Sequence, residues 1–319
     1  MKRISQRSGR LLLAAALAAP LISALGGCAS VQEITDRAGH VAKRAIGIST
    51  ASVVATQGDF VLEKLRFTFP KAESGAAPTG LTLIANAGGD ELYVVNGDTL
   101  SRAGVRDFEI SQMAKTGSEP IDSPTQIWAN ARYLVLSSET TGTVQKIERE
   151  TGRLVFEIKG LKAPRGAVEL GDGSVLIAES GTGNIVKYSG KSGDPVTVLA
   201  SGLATPSGMA SAGSGIYVTE TAAGLVLRID PATGRRSIVS QGLQSPEGIA
   251  VDNNGRLVVM EVATKRLLSI DTVSGASTTL FVDVPIGPSK LQIGLAAGSD
   301  QTTYFTSPTE GAVFRIRRK

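Results

Sequence analysis

One cysteine, one histidine and one tryptophan are all that 319 residues contain of those types. Each scarcity excludes something. A single thiol, Cys28, forbids a disulfide within the chain. The single histidine, His40, lies outside residues 58–319, so that stretch holds no Ser-His-Asp triad. Aromatic residues make up only 4% of the chain, and Trp128 and the tyrosines read as core rather than as a platform for sugars. No Walker loop, zinc-ligand spacing or haem motif is present. Gly181-Thr182-Gly183 reads as a loop between strands, not as a phosphate cradle.

Acids are missing from the first 27 residues, whereas Lys2, Arg3, Arg7 and Arg10 make a basic head. Leu11 to Leu25 follows as an apolar core too short for an ordinary membrane span. Together they read as a secretory signal, residues 1–27, outside the fold. The signal accounts for the whole charge excess. Removing its four basic residues from 33 leaves 29 Lys and Arg against 29 Asp and Glu. A formally neutral remainder gives no argument for a nucleic-acid partner.

The signal ends in Leu25-Gly26-Gly27-Cys28, which resembles the bacterial lipobox. The resemblance implies a diacylglycerol on the Cys28 thiol, cleavage before that residue, and an acylated new amino terminus. Acyl chains worth ~0.8 kcal/mol per buried CH₂ would then anchor the protein stably to a membrane. Ala29, where an aspartate could stand, implies the outer membrane, with the protein facing the periplasm. Ser30-Val31-Gln32-Glu33 forms a capping box, and Val31, Ile34, Ala38, Val41 and Ala45 recur at helical spacing. The pattern predicts a short helix over 31–46 within a stalk or linker, 28–57. His40 falls opposite its apolar stripe, as a solvated side chain.

Beyond residue 58 the pattern is β. There are 37 glycines, ~12% against a usual ~7%, with no collagen-like period, which predicts many tight turns. A proline opens each of six similar units: Pro78, Pro124, Pro164, Pro206, Pro246 and Pro288, with gaps of 46, 40, 42, 40 and 42 residues. Each is followed by a short apolar strand, a turn and a stronger strand, such as Ser174 to Ala178 or Arg256 to Met260. Third and fourth strands follow around turns such as Pro231-Ala232-Thr233-Gly234. Six four-stranded units with a period near 41 predict an all-β fold, a six-bladed β-propeller over 58–319. Two stacked sandwiches would not explain the even spacing. The last unit has room for about three strands. The stretch before Pro78, with Leu65, Phe67 and Phe69 alternating with polar residues, is expected to complete it and close the ring.

Two sets of side chains are expected at one channel mouth. One follows each proline: Thr79, Thr125, Arg165, Ser207, Glu247 and Ser289. The other ends each second strand: Asn96, Ser138, Glu179, Glu220, Glu261 and Ser307. Glu179, Glu220 and Glu261 recur every 41 residues and, with Glu247, suggest an acidic sector opposed by Arg165. Such a sector could hold Ca²⁺ or Mg²⁺, with Glu247 and Glu220 as ligands, or keep one carboxyl protonated. Equally, each strand-end glutamate could cap its own turn.

Pro246-Glu247-Gly248-Ile249-Ala250-Val251-Asp252 resembles the NHL repeat and the wider group of six-bladed propellers. That group includes the senescence-marker/gluconolactonase family, strictosidine-synthase-like proteins and streptogramin (virginiamycin B) lyases. The gluconolactonase resemblance implies a Pro-Asp-Gly aspartate that helps to hold a catalytic divalent metal with Glu and Asn partners. Glu247 stands at the aspartate position; the asparagine partners have no matching motif, and Gln126 is displaced by one. The lyase resemblance implies a histidine base, which 58–319 lacks. Two functions follow from these residues. The first is a monomeric envelope lipoprotein whose propeller face binds a protein, peptide or glycan without catalysis. The second is a metal-dependent lactonase or hydrolase.

Overall fold

The computed structural model describes residues 51–67, 77–85, 90–97, 99–105, 110–113, 124–191, 193–287, 292–298 and 300–319. The signal, Cys28, the 31–46 helix with His40, Phe69, Pro288 and Ser289 lie outside them. The strands form six antiparallel sheets, five of four strands and one of five. They are the blades of a six-bladed propeller. The first five span 78–112, 126–158, 164–200, 206–241 and 246–281, each built from consecutive strands.

Local chemistry sets these hairpins. In the fifth blade the turn Asp252-Asn253-Asn254-Gly255 is held by the Asp252 carboxylate, which accepts from the main-chain N–H of Asn254 and of Arg256, both at 2.9 Å. Gly255 supplies the positive φ, 73°. Asp230 and Asp271 fix the turns into the outermost strands of the fourth and fifth blades in the same way, each accepting from two main-chain N–H groups.

Alternating side chains on each sheet face the neighbouring blades and bury them. Val168, Leu176, Met209 and Val218 of the third and fourth blades share one apolar cluster. Val226, Ile249, Val259 and Leu268 join the fourth to the fifth. The innermost strands pack against each other in ring order, and Leu295–Ala297 of the sixth blade meets Pro78–Ile84 of the first. The glycine of the Pro-x-Gly motif permits this approach. A Cβ on Gly208 would lie 2.3 Å from the Glu247 carbonyl oxygen, and one on Gly166 would lie 2.5 Å from that of Ser207.

The sixth blade combines the two ends of the described chain. Its order is Leu295–Ala297, Thr303–Ser307, Ala312–Arg318, Phe60–Leu65, Ala51–Gln57. The closing strand is thus Phe60–Leu65, paired antiparallel with Ala312–Arg318 from Phe60↔Arg318 to Lys64↔Phe314. It lies within the stretch 58–70 expected to close the ring, and ends at Leu65, where the Leu65 to Phe69 alternation that marked the strand begins. Ala51–Gln57, placed in the linker by its sequence, adds a fifth, outermost strand. Its two valines, Val53 and Val54, are adjacent and both exposed, so it lacks the alternation that marks a half-buried strand.

The start of the sixth repeat also differs from expectation. Leu295 pairs with Phe305, as Ile249 pairs with Val259 in the fifth blade. That register gives Gln292 the place held elsewhere by proline, and Ile293 the place after it. Pro288 and Ser289 themselves lie outside the described residues.

Candidate functional site

Each innermost strand begins, and each second strand ends, at one face of the ring. Pro164 is opposite Glu179, Pro206 opposite Glu220 and Pro246 opposite Glu261. The two sets of residues therefore share a face, but not a direction. The strand-end glutamates point back to their own blades.

Glu179 accepts from the main-chain N–H of Lys162 at 2.8 Å and from the Thr182 hydroxyl at 2.9 Å. Glu220 accepts from the N–H of Ala204 at 2.9 Å. Glu261 accepts from the N–H of Gln244 at 2.8 Å, the Thr264 hydroxyl at 2.7 Å and Arg266 at 2.6–2.8 Å. Each acceptor holds the residue two before its proline. The residue between, Ala163, Thr205 or Ser245, has φ of 48°, 58° or 51°. A left-handed conformation is unfavourable for a residue with a Cβ, at roughly 1–2 kcal/mol. The glutamates therefore clamp strained loop corners.

The expected four-carboxylate sector does not form around Glu247; its three repeating members are structural. Ser138 and Ser307 also stay with their own blades. At Asn96 the main-chain carbonyl accepts from the Thr99 hydroxyl at 2.8 Å. Ser138 accepts from the N–H of Thr141 at 3.4 Å, and the Ser307 hydroxyl donates to the Pro285 carbonyl.

A measurable consequence follows at Glu261, which is fully buried. Glu261→Ala strands the N–H of Gln244 and removes the Arg266 partner. We expect a loss of about 3 kcal/mol in denaturant unfolding, and a smaller loss for Glu220→Ala, which gives up one bond. A Glu261→Ala protein within ~0.5 kcal/mol of wild type would contradict the clamp, because that is the range of unremarkable surface substitutions.

Of the residues after the prolines, Arg165 and Glu247 lie near the start of the inner strands of the third and fifth blades, and the Arg165 charge acts on Glu247. Thr79 and Thr125 instead donate to the main-chain carbonyls of Pro124 at 3.0 Å and Ser137 at 3.1 Å. Hydroxyls of alternate blades fix their main chain. Ser137 donates to the Arg165 carbonyl, Thr219 to that of Glu247 at 2.8 Å, and Thr306 to that of Thr79 at 2.7 Å. These bonds tie the main chain at the mouth to the neighbouring blades.

Glu139, which the motif analysis did not single out, joins this group. It follows the second strand of the second blade, and its Oε1 lies 3.2 Å from a guanidinium nitrogen of Arg165. Gln292 is also new. Its side chain is 1% exposed and donates to the Ser207 hydroxyl at 3.0 Å. The missed signal was spacing. In the second to fifth repeats the proline lies 14 or 15 residues before the end of the second strand, and 15 before Ser307 is Gln292, not Pro288.

Three buried polar atoms here lack hydrogen-bond partners: Glu247 Oε2, Arg165 Nε and Gln292 Oε1. Burial pushes the Glu247 carboxyl up to about 7. The Arg165 guanidinium draws it down and the Glu139 carboxylate draws it up, but burial dominates.

The donor set does not suit the expected Ca²⁺ or Mg²⁺. Those ions take several oxygens. Here Glu220 is engaged elsewhere, Glu139 is paired with Arg165, and a guanidinium stands beside Glu247. Among the described residues no three His, Cys, Asp or Glu side chains gather where a metal could be held.

Toward the opposite face the channel widens into a cavity of about 260 Å³, lined by the later residues of the inner strands, Leu83, Trp128, Ser211 and Val251 among them. Trp128 also packs against the apolar clusters of the second, third and fourth blades, as its core reading implied.

Solved structures share this architecture. A gluconolactonase from Xanthomonas campestris superposes with a TM-score of 0.61 at 14% identity, over 85% of this chain and 95% of that one. A streptogramin B lyase gives 0.58 at 15% identity, over 82% of this chain and 98% of that one. The chain has their six-bladed propeller fold. A chain of the nidogen/laminin complex gives 0.54 at 17% identity, over 70% and 90%. No family model and no curated protein matches the sequence. At these identities the likeness concerns the fold, and one propeller frame carries unrelated activities.

Proposed function

We propose that this chain is a lipid-anchored envelope protein whose propeller mouth binds a polar ligand, a peptide or glycan segment, without catalysis. The observation that carries the reading is the set of unpartnered buried atoms on Glu247, Arg165 and Gln292. Buried polar groups are nearly always hydrogen-bonded, and three exceptions at one end of the ring support a ligand site. The signal ending at Cys28 supports export and anchoring, and Ala29 supports the outer membrane with the propeller in the periplasm. The absence of any histidine from 58–319 is against lyase chemistry of the kind the resemblance implies. The lactonase reading rests on the gluconolactonase likeness and on the Pro-Glu-Gly at Glu247. It lacks a fitting ligand set.

The test uses the full lipid-bearing protein in detergent, offered a pool of cell-wall glycopeptide fragments and a mixed peptide pool. We expect retention by wild type and its loss in Arg165→Ala, and incorporation of labelled palmitate that disappears in Cys28→Ser. Equal retention by both proteins, or hydrolysis of a sugar lactone that requires Ca²⁺ or Mg²⁺, would overturn the binding reading. Equal palmitate labelling of the Cys28→Ser protein would overturn the anchor.

A further inference from the structure

The unmet groups at the mouth differ in kind, and the difference describes a ligand. Glu247 brings a carboxylate with a buried, unpartnered oxygen. Gln292 is nine-tenths buried and more, and its amide has used only its N–H side, on Ser207. That bond links the sixth blade to the fourth. The Gln292 side chain therefore reaches across the start of the fifth blade, where Pro246-Glu247-Gly248 enters the ring. Ser207 and Gln292 thus flank Glu247 in ring order, and the Gln292 Oε1 has no hydrogen-bond partner. Arg165 has already met Glu139 through one terminal nitrogen and has a buried, unpartnered donor at Nε. The sum is two acceptors, one of them charged, with one donor nearby. Two carboxylates face one guanidinium, so an uncompensated negative charge remains on the side of Glu247.

We infer that the mouth receives a primary ammonium group between Glu247 and Gln292, on a ligand whose neighbouring carbon carries an oxygen that accepts from Arg165 Nε. An amino sugar has this pattern, and so does the amino end of a peptide. The inference rests on the reading of the mouth as a binding site and gives that site its chemistry. An ammonium has three donors and no acceptor, which matches the two free oxygens. It also cancels the buried charge, which a hydroxyl cannot do. An anion would meet Glu247 and Glu139 first. A divalent cation would find one free carboxylate and one amide oxygen beside a guanidinium, too few ligands and the wrong neighbour.

Calorimetric titration of the full chain at about pH 7.5 tests this, since simple amines are charged there. The probes are glucosamine and glycinamide, each against its N-acetylated form. Acetylation removes the charge and keeps the neighbouring oxygen. A charge-assisted hydrogen bond lost from a buried site should weaken binding ~10- to 100-fold, so the acetylated probes should bind that much less well. Glu247→Gln, which keeps the shape, should abolish the preference for the free amine. Gln292→Leu should weaken both amines, with thermal melting used to establish that each variant is folded. Preference for glucosamine or for glycinamide separates the two ligand sources.

Acetylated probes that bind as well as the amines, or a Glu247→Gln protein that still prefers amines, would overturn the inference. So would absence of binding by either amine. In those cases Arg165-dependent retention of the peptide or glycopeptide pool would show that the mouth still binds a ligand, of another chemistry. Loss of that retention as well would remove both readings.

Discussion

A chain shortened to begin at Pro78 should aggregate on expression or unfold far below the full protein. It lacks the last two strands of the sixth blade, Phe60–Leu65 and Ala51–Gln57. Val61, Leu62 and Leu65 are buried there, at roughly 1.5–3 kcal/mol for each side chain. Their loss uncovers Phe314 and Ile316, which share a cluster with Leu62, and frees the hydrogen-bonding edge of Ala312–Arg318. It also removes Glu63, whose carboxylate accepts from Arg315 at 2.5 Å and from Arg317 at 3.1 Å. Burial would raise the Glu63 carboxyl, but Arg317 and Arg315 outweigh it and hold it below the usual range. Several such terms together approach the whole stability of an ordinary domain, about 5–15 kcal/mol. Calorimetric melting decides the matter. A shortened protein that melts with the full one would show that these strands do not close the ring.

Glu247→Gln should act in the other direction and stabilise the protein above neutral pH. The carboxyl is raised from 4.5 to about 7, chiefly by burial. Between these values the folded protein holds a proton that the unfolded chain gives up. The stabilisation from this group is full below about 4.5 and is lost as pH rises through about 7. At ~1.4 kcal/mol per unit the loss is roughly 3 kcal/mol at pH 8. Glutamine has no charge to bury, so the variant should melt roughly 5–10 °C higher than wild type at pH 8. The two should converge near pH 4.5. Equal melting temperatures at pH 8 would mean that the Glu247 charge is already compensated, and would weaken the case for a ligand ammonium. A site that destabilises its own fold is the usual mark of function.

The sequence legibly carried the blades, because every blade is built from local interactions. Turn chemistry at Asp252 to Gly255 needs only neighbours, and the recurrence of Pro and strand marks the first five blades, with Gln292 in the proline's place in the sixth. The face on which Glu247, Arg165 and the strand-end glutamates lie was legible for the same reason, since the register Pro246↔Glu261 follows from a short hairpin. Tertiary structure alone decided three things. Which N-terminal residues close the ring depended on pairing Glu63 with Arg315, 252 residues away, and the added outer strand, with adjacent exposed Val53 and Val54, has no alternating pattern to mark it. Whether Glu179, Glu220 and Glu261 face the channel or their own loops depended on where the strained corners at Ala163, Thr205 and Ser245 left an N–H within reach. The mouth itself, with Glu139 and Gln292 beside Glu247 and Arg165, brings together residues from the second, third, fifth and sixth blades. Its charge balance exists only once the ring is closed, since separate blades hold one of these groups each and leave it in water.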